Sequence, residues 1–235
     1  MAAKIKIGCC GFPRAKDSYY KFFKVVELQK TFYELPRLNL LERWRREAPQ
    51  GFEFTIKASQ LITHPSSSPT YRRFKGELKN PERYGYFQPT KEVFDVWKRI
   101  LEQAEVLKSK VVLFQTPASF LPHPKNIKNL YQFFQKIDRK DISLFWESRG
   151  KWKEDELLKI LKDCDIGDCV DPFLREPLYG KYFYFRLHGG KGYRKKYSER
   201  ELLELKRKVL KKEGYIMFNN IHMWEDGLRL MEIMR

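Results

Sequence analysis

The sequence predicts an α/β fold, a TIM-like (β/α)8 barrel built as one domain over residues 1–235. Three observations predict it. Eight short apolar runs recur along the chain, helical patterns lie between most of them, and polar or charged residues follow the ends of the runs. Parallel strands need crossover connections, and eight is the number that closes into the common barrel with its working face at the strand C-termini.

The elements follow in order. Residues 5–9 and 25–28 are the first two runs, and Leu38, Leu41 and Trp44 share one face of a helix over 38–47. Strand three, 52–57, alternates Phe52, Phe54 and Ile56 with polar neighbours, the period of a half-buried strand. After a long loop, Val93, Val96, Trp97, Ile100, Leu101 and Ala104 form the apolar stripe of a helix over 93–107. Strand four (111–114), a helix (127–137), strand five (142–146) and a helix (156–161) come next. Strand six, around 168–171, is weaker, and too little chain separates Asp171 from Tyr182 for a full helix, so the sixth crossover is shortened. Strand seven is 182–187. Ser198 and Glu201 have the spacing of a capping box, in which hydroxyl and carboxylate satisfy the first free N–H groups, opening a helix through 210. Strand eight (215–218) and a helix (224–234) close the set. An open doubly wound sheet fits less well, because the segment from Gly8 to Gly11 is too short for a phosphate-binding glycine loop and runs into Phe12 and Pro13.

Apolar residues at 42% and aromatics at 15% suffice for a large core. The net charge of +17 implies attraction for polyanions such as nucleic acid or phosphorylated metabolites, although a basic solvated surface carries the same number. No run approaches the roughly 20 apolar residues of a membrane span, and no signal-peptide core stands at the start, so a cytoplasmic protein without a membrane partner is expected. Cys9, Cys10, Cys164 and Cys169 fit no zinc spacing and are expected as small buried hydrophobes, with a Cys164–Cys169 disulfide as the minor alternative.

Strand C-termini of such a barrel face a common pocket. Those positions hold Glu27, Lys57, Gln115, Glu147 with Arg149, Asp171, Arg186 with His188, and Asn219 with Asn220. The expected catalytic groups are Glu27, Glu147, Asp171 and His188. Lys57, His64, Gln115, Arg149, Arg186, Tyr197, Asn219 and Asn220 are expected to bind substrate. Pairs such as Glu27 with Lys57, or Arg186 with Glu147 or Asp171, would merely neutralise a buried ring. Burying the whole set without a purpose is costly, which favours function for the set over function for any one member. A divalent metal ion would find donors in His64, His188, Glu27, Glu147 and Asp171, but no pair has diagnostic ligand spacing.

Two loops rise on the same face. Residues 58–89 carry Arg72, Arg73, Lys75, Lys79 and Arg83 against Glu77 and Glu82, with Tyr71, Phe74, Tyr84, Tyr86 and Phe87 among them. Residues 189–200 carry Lys191, Arg194, Lys195, Lys196 and Arg200 against Glu199, with Tyr193 and Tyr197. Basic side chains interleaved with aromatics suit phosphate contact with base stacking, and equally a solvated lid whose rings pack on the rim.

Ordered motifs add a resemblance. Gly8 to Phe12 (Gly-Cys-Cys-Gly-Phe), Val26-Glu27-Leu28 followed by Thr31-Phe32-Tyr33, and Phe54 with Lys57 then Ile62-Thr63-His64 come first. Phe114-Gln115 with Pro117, Ser119 and Phe120, Glu147 with Arg149 and Trp152, Arg186-Leu187-His188-Gly189, Tyr197-Ser198 and Phe218-Asn219-Asn220 follow. Taken together the chain resembles the YecE-like family, known as domain of unknown function 72. The resemblance implies an eight-stranded barrel and no established activity. Its fold is similar to that of metal-dependent endonucleases and sugar isomerases, which is analogy of fold alone. Cys9 and Cys10 stand where the family has Thr-Ser, so no essential thiol is implied; Phe12 replaces a Trp, and Gln29 stands near an expected Asn.

The leading expectation is a hydrolase acting on a phosphodiester or other phosphorylated, anionic substrate. Lys57, Arg149 and Arg186 would hold the anion, Glu27, Glu147 or Asp171 would serve as base or metal ligand, and His188 as acid. The alternatives are a non-catalytic barrel that binds nucleic acid and a small-molecule isomerase or lyase.

Overall fold

Hydrophobic runs bounded by turns become the staves of a closed barrel in the computed structural model, which describes residues 5–235. The chain runs β1 (Ile5–Cys10), α1 (Lys16–Phe22), β2 (Val25–Leu28), α2 (Lys30–Tyr33), α3 (Leu38–Glu47), β3 (Glu53–Lys57), α4 (Gln60–Thr63) and α5 (Lys91–Leu107). It continues through β4 (Val111–Gln115), α6 (Pro124–Lys136), β5 (Ser143–Glu147), α7 (Glu154–Asp163) and β6 (Gly167–Val170). β7 (Phe183–Leu187), α8 (Glu199–Val209), β8 (Gly214–Phe218) and α9 (Met223–Met234) complete it. All neighbouring strands pair in parallel in sequence order, and β1 pairs with β8 from Ile5↔Gly214 to Cys9↔Phe218 to shut the barrel.

Strand ends agree with the sequence to within a residue, and the helices differ more. α1 was not foreseen: seven residues with two tyrosines and no side-chain cap give too short a pattern to read. Its Tyr19 hydroxyl accepts from the Cys9 N–H (2.8 Å) and donates to the Val25 carbonyl (2.7 Å), tying the helix to two strands at once. The capping box at Ser198 forms in full, with the Glu201 N–H on the Ser198 hydroxyl and the Ser198 N–H on the Glu201 carboxylate. No helix lies between β6 and β7 among the described residues, as the short spacing required.

Alternation along each strand sorts side chains into two populations. One row faces the helices and forms the larger core. The other row faces inward, where Val25, Val111, Leu113, Phe145, Tyr184 and Met217 fill the barrel. Gly167 sits on that inward row because a Cβ there would overlap the Phe145 ring. Among the described residues no helix is long and apolar enough to cross a membrane. Cys9, Cys10, Cys164 and Cys169 are buried and free, so the Cys164–Cys169 bridge considered above does not form.

Candidate functional site

The inward row ends in charge. Two residues beyond Tyr184 on β7, Arg186 is 0% exposed at the centre of the barrel mouth. Its Nη2 and Nε donate to Glu27 (2.9 and 3.1 Å), Nη1 donates to Glu147, and Nη1 also reaches the Gln115 carbonyl oxygen at 3.3 Å. Glu27 accepts further from the Tyr184 hydroxyl at 2.8 Å and from the Gln29 amide. Burial opposes the Arg186 charge, but Glu27, Cys10 and Glu147 raise its pKa well above the usual value. Burial likewise pushes the Glu147 carboxyl up, and Arg186, His188 and Arg149 overcome it, holding that carboxyl well below its ordinary range.

Glu147 is the joint between this sealed interior and the open mouth. Its Oε1 accepts from Arg149 Nε at 2.9 Å and lies 2.9 Å from His188 Nε2. His188 Nδ1 faces the Asn219 Nδ2 donor at 3.0 Å, while Arg149 Nη2 lies against both ring nitrogens, 3.1 Å from Nε2 and 3.3 Å from Nδ1. That arrangement selects the tautomer with its proton on Nε2, directed at the carboxylate. Asp171, one residue past β6, accepts from the His188 backbone N–H at 3.1 Å and so fixes the start of the loop after β7. Arg149 also donates to the Tyr193 hydroxyl at 3.1 Å. A cavity of about 570 Å³ opens here, lined by Glu147, Arg149, Asp171, Leu174, His188 and Tyr193. A neighbouring hollow of about 410 Å³ shares Asp171 and His188.

Lys57 ends the inward row of β3. It is 6% exposed, its Nζ sits 3.9 Å from the centre of the Phe32 ring, and it forms no hydrogen bond or ion pair with a described residue. Burial, reinforced by Arg186, lowers its pKa to about 7. His64 packs edge-on to Phe32 with ring centres 5.0 Å apart and pairs its Nδ1 with the Thr63 hydroxyl at 2.8 Å. Burial, with Lys57 and Arg149, brings its pKa down to about 3.

The structure therefore gathers Glu27, Lys57, Gln115, Glu147, Arg149, Arg186, His188 and Asn219 at one mouth, with Asp171 and His64 at its border. Of the remaining residues expected to bind substrate, Asn220 does not join the cluster, whereas Tyr197 lines the neighbouring hollow with Asp171 and His188. The Tyr197 hydroxyl accepts from the Gly189 N–H at 2.9 Å and its ring stacks on Phe173. Asn220 is one residue out of step with Asn219, so it turns to the other face and donates to Asp226 at 2.7 Å and the Lys195 carbonyl at 2.8 Å. Both residues brace the loop after β7, where Gly189 and Gly190 adopt φ of +67°.

Three residues that touch the site were not among those expected to form it: Tyr184, and also Gln29 and Tyr193, which the sequence marked only as a departure from the family pattern and as a loop aromatic. Tyr184 was legible, lying two positions before Arg186 on the same face, whereas Tyr193 belongs to a loop whose path no periodicity reveals. The expected thiol inertness has a clear basis, since burial and Glu27 raise the Cys10 pKa well above its ordinary value.

The donor set does not fit a divalent metal ion. Glu27 and Glu147 both grip Arg186, which occupies the position between them, and among the described residues no three His, Cys, Asp or Glu side chains converge. The basic aromatic rim also divides. In the loop after β3, Phe87 is in the core and Tyr71, Phe74, Tyr84 and Tyr86 pack against it, while Arg72, Arg73, Lys75, Lys79 and Arg83 are exposed. In the loop after β7, Tyr193 is 38% exposed and Tyr197 is buried, and the Lys191 side chain lies outside the described residues.

An eight-stranded α/β barrel with a charged mouth at its strand C-termini is the class that fold and site define. Residues 15–235 match the family described as "Protein of unknown function DUF72", and the chain belongs to it. It is 25% identical over 241 residues to the UPF0759 protein YunF of Bacillus subtilis (strain 168), covering 87% of this chain and 79% of that one. A DUF72 family protein from Enterococcus faecalis V583 shares the fold with a TM-score of 0.73 at 19% identity, over 98% of this chain and 97% of that one. Another, from Thermotoga maritima MSB8, gives a TM-score of 0.70 at 22% identity over 98% of each.

Proposed function

We propose that the protein is an enzyme for a small anionic substrate, phosphorylated or carboxylated, working by proton transfer at the barrel mouth in the manner of an isomerase or lyase. One observation carries this. Glu147 holds an anion anchor, Arg149, and a proton carrier, His188, side by side on the edge of one cavity. Arg149 is charged and faces the cavity, so an incoming anion competes for its guanidinium. Drawing Nη2 away from His188 leaves the Asn219 amide as the one side-chain donor at Nδ1, the nitrogen that exchanges a proton with the substrate once that amide gives way, while Glu147 steadies the imidazolium that forms.

Two features favour this over a phosphodiesterase or a nucleic-acid binder. The carboxylates that a hydrolase would use as base or metal ligands are committed to Arg186. The rings of the loop after β3 turn inward, which leaves Tyr193 as the exposed aromatic of the two loops and weakens base stacking.

The test combines binding with turnover. Phosphate should bind by calorimetry, and Arg149→Ala should weaken it by about tenfold or more, the cost of a charged hydrogen bond. Incubating the protein in D2O with phosphorylated and carboxylated sugars should exchange substrate C–H for C–D by NMR. His188→Ala should slow that exchange by about a hundredfold or more. Phosphate affinity unchanged in Arg149→Ala, or single-stranded oligonucleotide binding that falls steeply with salt in place of phosphate binding, would refute the proposal.

A further inference from the structure

Lys57 is a mouth residue that the proton-transfer scheme leaves unused, and its surroundings are unusual for a lysine. It follows Glu53 and Thr55 on the inward row of β3, and Thr55 reaches across the barrel to the Tyr184 hydroxyl at 2.8 Å. Lys57 therefore points into the mouth from the strand opposite Arg186. Every other charge there is matched: Arg186 bridges Glu27 and Glu147, and Arg149 pairs with Glu147. The Lys57 amine, in a residue more than nine-tenths buried, has an aromatic face beneath it and no acceptor among the described residues.

An amine in a largely buried residue, without a carboxylate partner and near two guanidinium groups, gives up its proton more readily than a surface lysine, and the free base has a nucleophilic lone pair. A lysine serving only to balance charge would approach a carboxylate, yet the nearby carboxylates are taken by arginine. We propose that Lys57 is an amine nucleophile that condenses with the carbonyl group of an aldehyde or ketone in the barrel mouth to form an imine. This rests on the small-anion assignment above for the substrate's second feature, an anionic group held by Arg149.

The step balances without a co-reactant. The nitrogen lone pair attacks the carbonyl carbon, and the carbonyl π pair moves to oxygen. Both amine protons then leave with that oxygen as water, and a C=N bond replaces C=O. The imine is an electron sink, so His188 would remove or return a proton on the adjacent carbon with less cost than at the free carbonyl. The lowered pKa agrees with the geometry, because at neutral pH Lys57 holds about a thousandfold more free amine than an ordinary lysine.

Reductive trapping tests this. The protein is incubated at neutral pH with sodium cyanoborohydride and either acetaldehyde or pyruvate, and the modified lysines are mapped by peptide mass spectrometry. Lys57 should be labelled about a hundredfold faster than the average surface lysine with both probes. In Arg149→Ala pyruvate labelling should fall much further than acetaldehyde labelling, which slows only as far as the lost guanidinium lets Lys57 hold its proton. Excess phosphate should block pyruvate labelling of the wild type while sparing acetaldehyde labelling. Labelling by acetaldehyde but not by pyruvate would retain the nucleophile and reject the anion site. Lys57 labelled by neither probe faster than surface lysines overturns the proposal. Because mapping is done on the wild-type chain, the result does not depend on whether Lys57→Met folds.

Discussion

His64 and Arg186 show how burial acts on single residues with opposite results. Arg186 retains its charge because two carboxylates surround it, and removing it alone would leave both of them unpaired in the interior. His64 has a hydroxyl and an aromatic edge for neighbours and no carboxylate partner, so burial favours its neutral form. Its pKa of about 3 in the fold, against 6.5 in an open chain, sets the sign of its effect on stability. Between these values the unfolded chain binds a proton that the folded one refuses. The stabilisation is thus complete above pH 6.5 and is lost as pH falls toward 3. Thermal melts of His64→Gln should decline less steeply over that interval than melts of the wild type. Parallel curves would mean that another group governs acid lability.

The crossover after β6 shows what an element needs when no helix is present. Residues 171–182 must cover the outer face of β6 without regular structure. Asp168, on the outward row of that strand, does the organising. Its carboxylate accepts from Arg175 Nη2 at 2.7 Å and the Leu178 N–H at 2.9 Å, and its own N–H donates to the Tyr179 carbonyl at 2.8 Å. Sequence spacing showed that a helix would not fit; it could not show that Asp168, read as part of a weak strand, anchors the replacement. Arg175 is partly exposed while Asp168 is buried, so Asp168→Ala frees a solvated arginine but strips the loop of the carboxylate's three hydrogen bonds, two from the Arg175 guanidinium and one from the Leu178 N–H. A loss of about 3 kcal/mol is expected in urea unfolding, with faster proteolysis within 171–182. Arg175→Ala should cost as much or more, since it leaves the buried carboxylate with only a backbone donor. A cost below that of an exposed ion pair for both variants would show that the loop holds by other means.

For the molecule as a whole the +17 charge is distributed rather than focused. Exposed bases line the loop after β3 and the loop after β7, while the mouth itself is nearly balanced by its arginine–glutamate pairs. Surface charge of one sign opposes compaction, and salt screens it over about 10 Å at 0.1 M. Raising sodium chloride from 10 mM to 150 mM (about a fourfold shorter screening length) should therefore raise the melting temperature. A melting temperature that falls would show that attractive surface pairs such as Arg83 with Glu92 outweigh repulsion. The same distribution explains why composition overstated the case for nucleic acid: charge count does not tell whether rings such as Phe87 face outward or into the core.

Strand order, closure and most of the mouth were determined by the sequence itself. Parallel strands covered on both faces read as short apolar runs, and a period of two places Tyr184, Arg186 and His188 on one side with Asn219 while turning Asn220 away. Those are local properties of a chain. Pairing was decided only by the tertiary structure. Glu27 was as free to meet Lys57 as Arg186 until the barrel closed and brought β2, β5 and β7 to one centre, 159 and 39 residues apart along the chain. Closure gave both carboxylates to the arginine, because a planar guanidinium can satisfy two at once, and left the Lys57 amine alone.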